Sequence, residues 1–335
     1  MKFLIYSPEF GPSKGGIQTW AYYIKKLLVE NNCGVEVFSF REDGLKKTIK
    51  GFFQKSNAII IMTWKVSLLC FPSLFFNFIK GKKSFCFVHG NEILNLNLIE
   101  IYYIRLLSFL NVKFIANSKD ISNLFFDNVK IKADIVIPPF MNASELNKKL
   151  SAKSKDKKNK KIFFTLTRLV ERKNIKNVIY ALSKINTIDF VYYIAGSGPC
   201  LDSLKKTINE LGLEEKIQLL GRVSEEQKEN LLLNTDLFIL PSLFDIKDGS
   251  IEGYGIVYIE ANAFGIPVIS GNTGGITEAV IDGKTGFHSD GSVESIYNSI
   301  LKAIDHDFDG EYIITHALKH DYSVQSELLH TLGIK

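Results

Sequence analysis

Short runs of apolar, mostly β-branched and aromatic residues recur at 3–6, 35–40, 58–62, 85–88, 114–116 and 135–137, separated by segments of helical period. After a polar break the alternation resumes at 162–166, 190–195, 217–219, 237–240 and 268–269. Strands that are apolar at nearly every position are covered on both faces, the condition of a parallel sheet held between helical layers. The first repeat shows the plan. Strand 3–6 leads into GPSKGG, and Ile17, Trp20, Ala21, Ile24, Leu27 and Leu28 then fall on one helical face. The break itself, KKLSAKSKDKKNKK at 148–161, is too polar and self-repelling to enter a core and reads as a linker or exposed loop. The pattern therefore predicts an α/β protein with parallel sheets on either side of the break, in 1–147 and in 162–310.

With 335 residues, 46% apolar and 23% charged, the chain has room for two cores. Cys33, Cys70, Cys86 and Cys200 are scattered and have no histidine companions at ligand spacing, which argues against a disulfide framework or a zinc site and favours a reducing, cytoplasmic setting. The N-terminal apolar run is too short for a signal-peptide core, and the stretch 66–79, interrupted by Pro72, falls short of the roughly 20 residues that cross a bilayer. The net charge of +5 conceals an asymmetry. Residues 1–147 carry 18 basic and 11 acidic side chains, residues 148–161 carry 8 and 1, and residues 162–335 carry 15 and 24. A basic first half without zinc-finger spacing or an RNP-type strand points to an anionic membrane surface rather than nucleic acid. Segments 67–83 and 98–110, aromatic and flanked by charge, read as interfacial helices or as covering helices of the sheet.

Candidate chemistry gathers at strand ends in the second half. TLTRLVERK places Arg168 and Lys173 after strand 162–166, where α/β sheets bind ligands, and two cations there suit a diphosphate. The turns GSGP at 196–199 and GRV at 221–223 close the next two strands. Further on, EGYGIVYIE carries Glu252 and Glu260 on either side of a glycine turn and a helix start. The amides of Gly253, Tyr254, Gly255, Ile256 and Val257 there would attract phosphate. The glycines Gly11, Gly15 and Gly16 lack the G-x-G-x-x-G spacing of a nicotinamide site, which ranks a dehydrogenase last.

Taken in order, Arg168 and Lys173, GSGP, GRV, Pro241-Ser242, Glu252 to Glu260, AFGIPVI at 263–269, and Gly274-Gly275 followed by Glu278, Gly283 and Gly286 resemble the nucleotide-sugar half of the retaining glycosyltransferases of family 4. The first half is matched more loosely by GPSKGGIQTW, His89-Gly90-Asn91-Glu92 and Asn117-Ser118. The resemblance implies the GT-B fold, two Rossmann-like domains facing a central cleft, with closing helices at 311–335 that return to the first domain. It also implies roles. Arg168 and Lys173 would hold the donor diphosphate with the amides of Gly15-Gly16 and of 254–257, and Gly196 would line the donor site. Val223 and the backbone near it would cradle the base, Arg222 would belong to the donor site, Glu260 would bind the ribose, Glu252 would contact and orient the donor sugar, and His89 would touch the sugar or the acceptor.

Such an enzyme stabilises a departing nucleoside diphosphate while the sugar carbon becomes oxocarbenium-like. Two fixed cations and a helix N-terminus answer that charge with no metal and no resident cofactor, the nucleotide sugar, UDP- or GDP-linked, entering as co-substrate. Asp305-His306-Asp307 matches a metal-binding D-x-D by letters, yet it follows a helix away from the strand ends and reads as a solvated turn. The resemblance further implies a saccharide or polyprenyl-linked acceptor in bacterial surface-glycan synthesis, at the inner face of the membrane. Two other readings keep the fold: a nucleotide-sugar epimerase, and a non-catalytic sugar-nucleotide-binding partner of another transferase.

Overall fold

A computed structural model of the chain describes residues 1–11, 15–43, 51, 54–150, 160–244 and 250–334. The expected segments at 12–14 and 245–249, and the centre of the lysine-rich break at 151–159, lie outside the described residues. The elements run in chain order as β1 (Lys2–Ser7), α1 (Gly16–Glu30), β2 (Gly34–Ser39), β3 (Ala58–Ile61), α2 (Trp64–Ile79), β4 (Lys83–Val88), α3 (Leu98–Phe109), β5 (Val112–Ala116), α4 (Lys119–Val129) and β6 (Ile135–Val136). They continue as α5 (Ala143–Leu150), β7 (Lys161–Leu166), a 3-10 turn (Glu171–Lys173), α6 (Ile175–Ser183), β8 (Phe190–Ala195), α7 (Leu201–Glu210), β9 (Ile217–Gly221), α8 (Glu225–Leu233) and β10 (Leu237–Leu240). The last are α9 (Ile256–Ala263), β11 (Val268–Gly271), α10 (Ile276–Ala279), β12 (Gly286–Ser289), α11 (Val293–Asp305), α12 (Gly310–Leu318), a second 3-10 turn (Tyr322–Val324) and α13 (Ser326–Leu332).

Two compact units result, one of 1–142 with 320–335 and one of 143–319. These limits correct the expected ones. The amphipathic helix α5 packs against α9 and α12 of the second unit, so the division falls before the lysine-rich break rather than at 147. The return of the chain begins at His320, not at 311, because α12 packs on α9. Each unit holds a six-stranded parallel sheet, ordered β2-β1-β3-β4-β5-β6 and β12-β11-β10-β7-β8-β9. The sequence pattern lacks β12, a short edge strand GFHS whose alternating Gly and His carry little apolar signal.

The core of the first unit is built on Phe3, Ile5, Trp20, Ile24, Leu28, Phe85 and Phe87, and Tyr322, Leu328 and Leu332 of the returning tail complete it. Trp20 meets Phe87 edge-on at 4.5 Å between ring centres, and the Tyr322 hydroxyl donates to Glu30 at 2.8 Å. At the carboxyl end of β4 the HGNE turn folds inward. The His89 amide donates to Glu92 Oε1 at 2.9 Å, the Thr63 hydroxyl donates to the other carboxylate oxygen, and Trp64 Nε1 donates to the Glu92 carbonyl at 2.7 Å. Burial pushes the Glu92 carboxyl up to about 8, against the pull of Thr63, the His89 amide and Lys65.

A carboxyl raised in the folded chain favours folding while both states hold the proton, and that advantage fades as pH climbs from the unfolded value of about 4.3 through about 8. Glu92→Gln keeps the shape and the acceptor for the His89 amide and removes the charge. It should raise the melting temperature at pH 8.5 by a few degrees, on the order of 1 kcal/mol, and change it little at pH 4. Melting curves of both proteins across that range check this, and an equal shift at both ends contradicts it.

Candidate functional site

In the second unit the strand order reverses direction between β7 and β10, which lie side by side at its centre. Ligands of open α/β sheets bind beyond the carboxyl ends of strands at such a switch point. The chain leaving β7 runs Thr167 to Val170 and enters the 3-10 turn Glu171–Lys173, while the chain leaving β10 passes Pro241-Ser242 toward Glu252. The GSGP turn braces the first of these segments. A Cβ on Gly196 would lie 1.7 Å from the Thr167 carbonyl, and one on Gly198 would lie 2.2 Å from that of Leu169, so glycine is required for the backbones to touch.

The centre of the site is a cluster of three charges, Lys173 buried and Arg172 and Glu252 half-buried. Glu252 Oε2 accepts from Arg172 Nη1 at 3.0 Å and from Lys173 Nζ at closer range, with side-chain exposures of 18% for Glu252 and Arg172 and 9% for Lys173. Burial pushes the Glu252 carboxyl up, and the two cations outweigh it, holding the group down to about 2. Lys173 is itself drawn below the usual lysine range by burial and by the neighbouring Arg172, with Glu252 opposing. Of the expected residues, Lys173 and Glu252 are thus brought together, and Arg168 is not: its side chain is exposed and makes no ion pair among the described residues. Arg172, next to Lys173 in TLTRLVERK, went unnoticed because a cation inside a charged turn carries no periodic signal.

A second ion cluster occupies Glu260. This carboxylate, which the resemblance assigns to ribose, is held by Lys228 Nζ at 2.8 Å, and the same lysine reaches Glu225 at 2.7 Å. Burial acts to lower the Lys228 pKa, but Glu260 and Glu225 raise it above the ordinary lysine value. Ser224 and Gln227 close a capping box at the start of α8 and fix the helix that carries Lys228. The sequence contains no hint of this pair, since Lys228 sits in a polar run, EEQKEN.

Between the two clusters α9 starts at EGYG. Gly255 takes φ 88° at the helix N-cap, and a Cβ there would fall 2.3 Å from the Tyr258 ring, so no other residue fits both the turn and the packing. The side chains of Tyr254 and Tyr258 turn inward, the latter donating to the Leu240 carbonyl at 2.8 Å, which leaves backbone and not tyrosine hydroxyls at the helix start, with the amides of Gly253, Ile256 and Val257. Arg222 and Val223 line a cavity of about 510 Å³ with Tyr193, Gln227 and Asn230, and a smaller one of about 310 Å³ lies beside Arg172, Leu243 and Phe244.

In the first unit, Gly15 caps α1 and Gly16 opens it. His89 is buried, its Nε2 donating to the Met62 carbonyl at 2.7 Å and its ring edge-on to Trp20 at 5.7 Å. Burial lowers its pKa to about 4, so the ring is neutral near pH 7, with the proton on Nε2 and the lone pair on Nδ1. Ser118 serves as the N-cap of α4, while Asn117 Oδ1 is buried with no hydrogen-bond partner among the described residues. Asp305 to Asp307 lie at the end of α11, where His306 faces the Gly283 carbonyl at 3.2 Å. Among the described residues no group of three or more His, Cys, Asp or Glu is placed to hold a metal ion, and no helix is long and apolar enough to cross a membrane.

The chain is similar in sequence and in fold to known proteins. A GDP-mannose-dependent α-(1-6)-phosphatidylinositol monomannoside mannosyltransferase of Mycolicibacterium smegmatis is 36% identical over 138 residues, 40% of this chain and 36% of that protein. WcaL of Salmonella typhimurium, a colanic acid biosynthesis glycosyltransferase, is 33% identical over 148 residues, 43% of this chain and 36% of its own length. The matches therefore span little more than a third of these relatives. The crystal structure of Anabaena HepE with UDP superposes with a TM-score of 0.76 over 99% of this chain and 100% of that one at 20% identity, which shows the GT-B fold. The family model of glycosyl transferases group 1 matches residues 147–319, just over half of the sequence and nearly all of the second unit. The chain belongs to the glycosyl transferases group 1 family.

Proposed function

We propose that the chain is a retaining hexosyltransferase that moves a sugar from a nucleotide donor to a saccharide or lipid-linked saccharide in bacterial surface-glycan synthesis. The observation that carries this reading is the Arg172–Lys173–Glu252 cluster at the switch point of the second unit. In the free chain Glu252 keeps two buried cations neutralised and pre-formed. A diphosphate brings more negative charge than one carboxylate, so it draws Lys173 and Arg172 to itself and releases Glu252 toward the sugar hydroxyls. Arg168, exposed at the end of β7, adds a third cation. As the bond from the sugar carbon to the phosphate oxygen breaks, its electron pair passes to the diphosphate beside these cations. The acceptor oxygen attacks from the same face and yields its proton to the departing phosphate. Neutral His89, with Nδ1 as an acceptor, is suited to a sugar or acceptor hydroxyl. The relative named for phosphatidylinositol monomannoside supports a lipid-linked acceptor and the one named for colanic acid a saccharide one, and a cytoplasmic site of action at the inner leaflet belongs to the same proposal.

A thermal-shift panel of nucleoside diphosphates should single out UDP or GDP, and Lys173→Met should abolish the shift. Arg168→Ala and Glu252→Gln should each lower transfer by about 100- to 1000-fold. Unchanged transfer in both variants would overturn the proposal.

Lys228 sets the carboxylate that meets the ribose, which is the same in the bound substrate and in the transition state. Lys228→Met should therefore raise the donor KM by about tenfold and leave kcat nearly unchanged. Combined with Glu260→Gln it should cost little more than either change alone. Steady-state kinetics of the two single variants and the double variant decide this, and a fall in kcat without a change in KM contradicts it.

A further inference from the structure

Helix α2 has its polarity reversed. A helix on a sheet ordinarily buries its apolar stripe and shows polar residues to water. Here the inward side of α2 carries Ser67, Ser73 and Asn77 among Trp64, Val66, Cys70 and Leu74, while Leu68, Leu69, Phe75, Phe76, Phe78 and Ile79 are 37–63% exposed. The buried polar groups are satisfied: Ser67 pairs with the Tyr103 hydroxyl at 2.9 Å, Ser73 with the Tyr6 hydroxyl at 3.3 Å, and Asn77 donates to Ser84 at 3.4 Å. The inversion is thus a fixed packing arrangement with its own hydrogen bonds, and a rotation of the helix to hide its phenylalanines would break them.

Helix α3 continues the same surface. It buries Ile104 and Leu107, and it exposes Leu98 by 72%, Ile99 by 81%, Tyr102 by 64%, Leu106 by 41% and Phe109 by 75%. The rings of Phe78 and Phe109 lie 6.1 Å apart, which joins the two faces. Eleven large apolar side chains so exposed present on the order of 1,000 Å², well beyond the few hundred Å² of an ordinary monomer patch.

The charged residues of 64–110 are mostly basic. Lys65 stands near the start of α2, Lys80, Lys82 and Lys83 follow its end, and Arg105 sits on α3. Between residues 64 and 110 the acidic side chains are Glu92, held in the HGNE turn, and Glu100, which closes the capping box of α3 with Asn97. A second copy of the chain docking on this face would set lysines against lysines. An anionic bilayer instead takes the phenylalanines and leucines into its acyl boundary while the lysines reach phosphates.

We propose that the α2–α3 face of the first unit inserts into the surface of an anionic lipid bilayer. This is a monotopic contact made by apolar side chains and reinforced by the basic rim. The inference extends the membrane-borne acceptor proposed above and is read out separately from it.

Vesicle flotation with the full chain tests it, using pure phosphatidylcholine and a 70:30 mixture of phosphatidylcholine with phosphatidylglycerol. The chain should float with the mixed vesicles, and 0.5 M NaCl should weaken that binding without abolishing it. The pair Phe76→Glu and Phe109→Glu should reduce it at least tenfold, with the melting temperature and the nucleoside-diphosphate shift retained. Replacing Lys80, Lys82 and Lys83 by Gln should lower binding to mixed vesicles several-fold. The proposal is overturned if the chain ignores the mixed vesicles, if the glutamate pair floats as well as the parent, or if binding to both vesicle types is equal. A dimer in solution that the glutamate pair converts to a monomer, with no vesicle binding by the parent, would assign the face to a second copy. Loss of the diphosphate shift in a panel on the parent chain, with vesicle binding intact, would strike at the proposed transferase function and leave this surface standing.

Discussion

One carboxylate governs the second unit. Glu252 is half-buried with Arg172 and the buried Lys173, and removing one partner of a fully buried set would cost about 3–5 kcal/mol because an unpaired charge is left behind. The geometry that makes this possible is assembled from distant parts. The cations come from the 3-10 turn after β7, the carboxylate from the loop after β10, and the adjacency of β7 and β10 brings them together. Hydrophobic residues of similar volume would hold the turn at least as well, so stability alone does not account for three charges at this point. What a buried cluster supplies is cations already desolvated and oriented, which a ligand of greater negative charge can claim without reorganising the site.

The Lys228–Glu260 pair follows the same logic one helix away. Lys228 Nζ holds the Glu260 carboxylate at 2.8 Å, and Glu260 and Glu225 together raise the Lys228 pKa against the effect of burial. Both glutamates of the E-x7-E stretch thus carry partners in the free chain, and each is restrained on one side while its remaining oxygen stays available. Their roles differ by partner. Under the proposed function, two cations that a diphosphate can claim make Glu252 releasable, whereas a lysine shared with Glu225 keeps Glu260 in place.

How much of this could be read from the sequence depends on whether the signal is periodic. The doubly wound layout and the face of α1 were legible, because strands and helices must repeat their apolar positions to be covered. Lys173 and Glu252 were legible through order and spacing. Arg172 and Lys228 were not, since their meaning arises only where a turn after one strand or a neighbouring helix meets a carboxylate some 30 to 80 positions away. The unit limits were misjudged for a related reason: the lysine-rich break is conspicuous in composition, yet α5 before it packs with the second unit, and packing decides where a unit ends. Edge strand β12 escaped because GFHS shows too little apolar surface to announce a strand.

Helix α2 shows the opposite failure, where a strong apolar signal points the wrong way. Apolar content marks 66–79 as a helix without saying which side faces the sheet, because nearly every position is apolar. The decision rests with the few polar residues. Ser67, Ser73 and Asn77 find partners in Tyr103, Tyr6 and Ser84 on the inward side, and nothing comparable in strength turns the phenylalanines in. Those hydrogen bonds keep the apolar side chains outside, which is the observation behind the proposed insertion into a bilayer. The lysines that flank α2, with few acids in 64–110, are why that proposal takes the bilayer to be anionic.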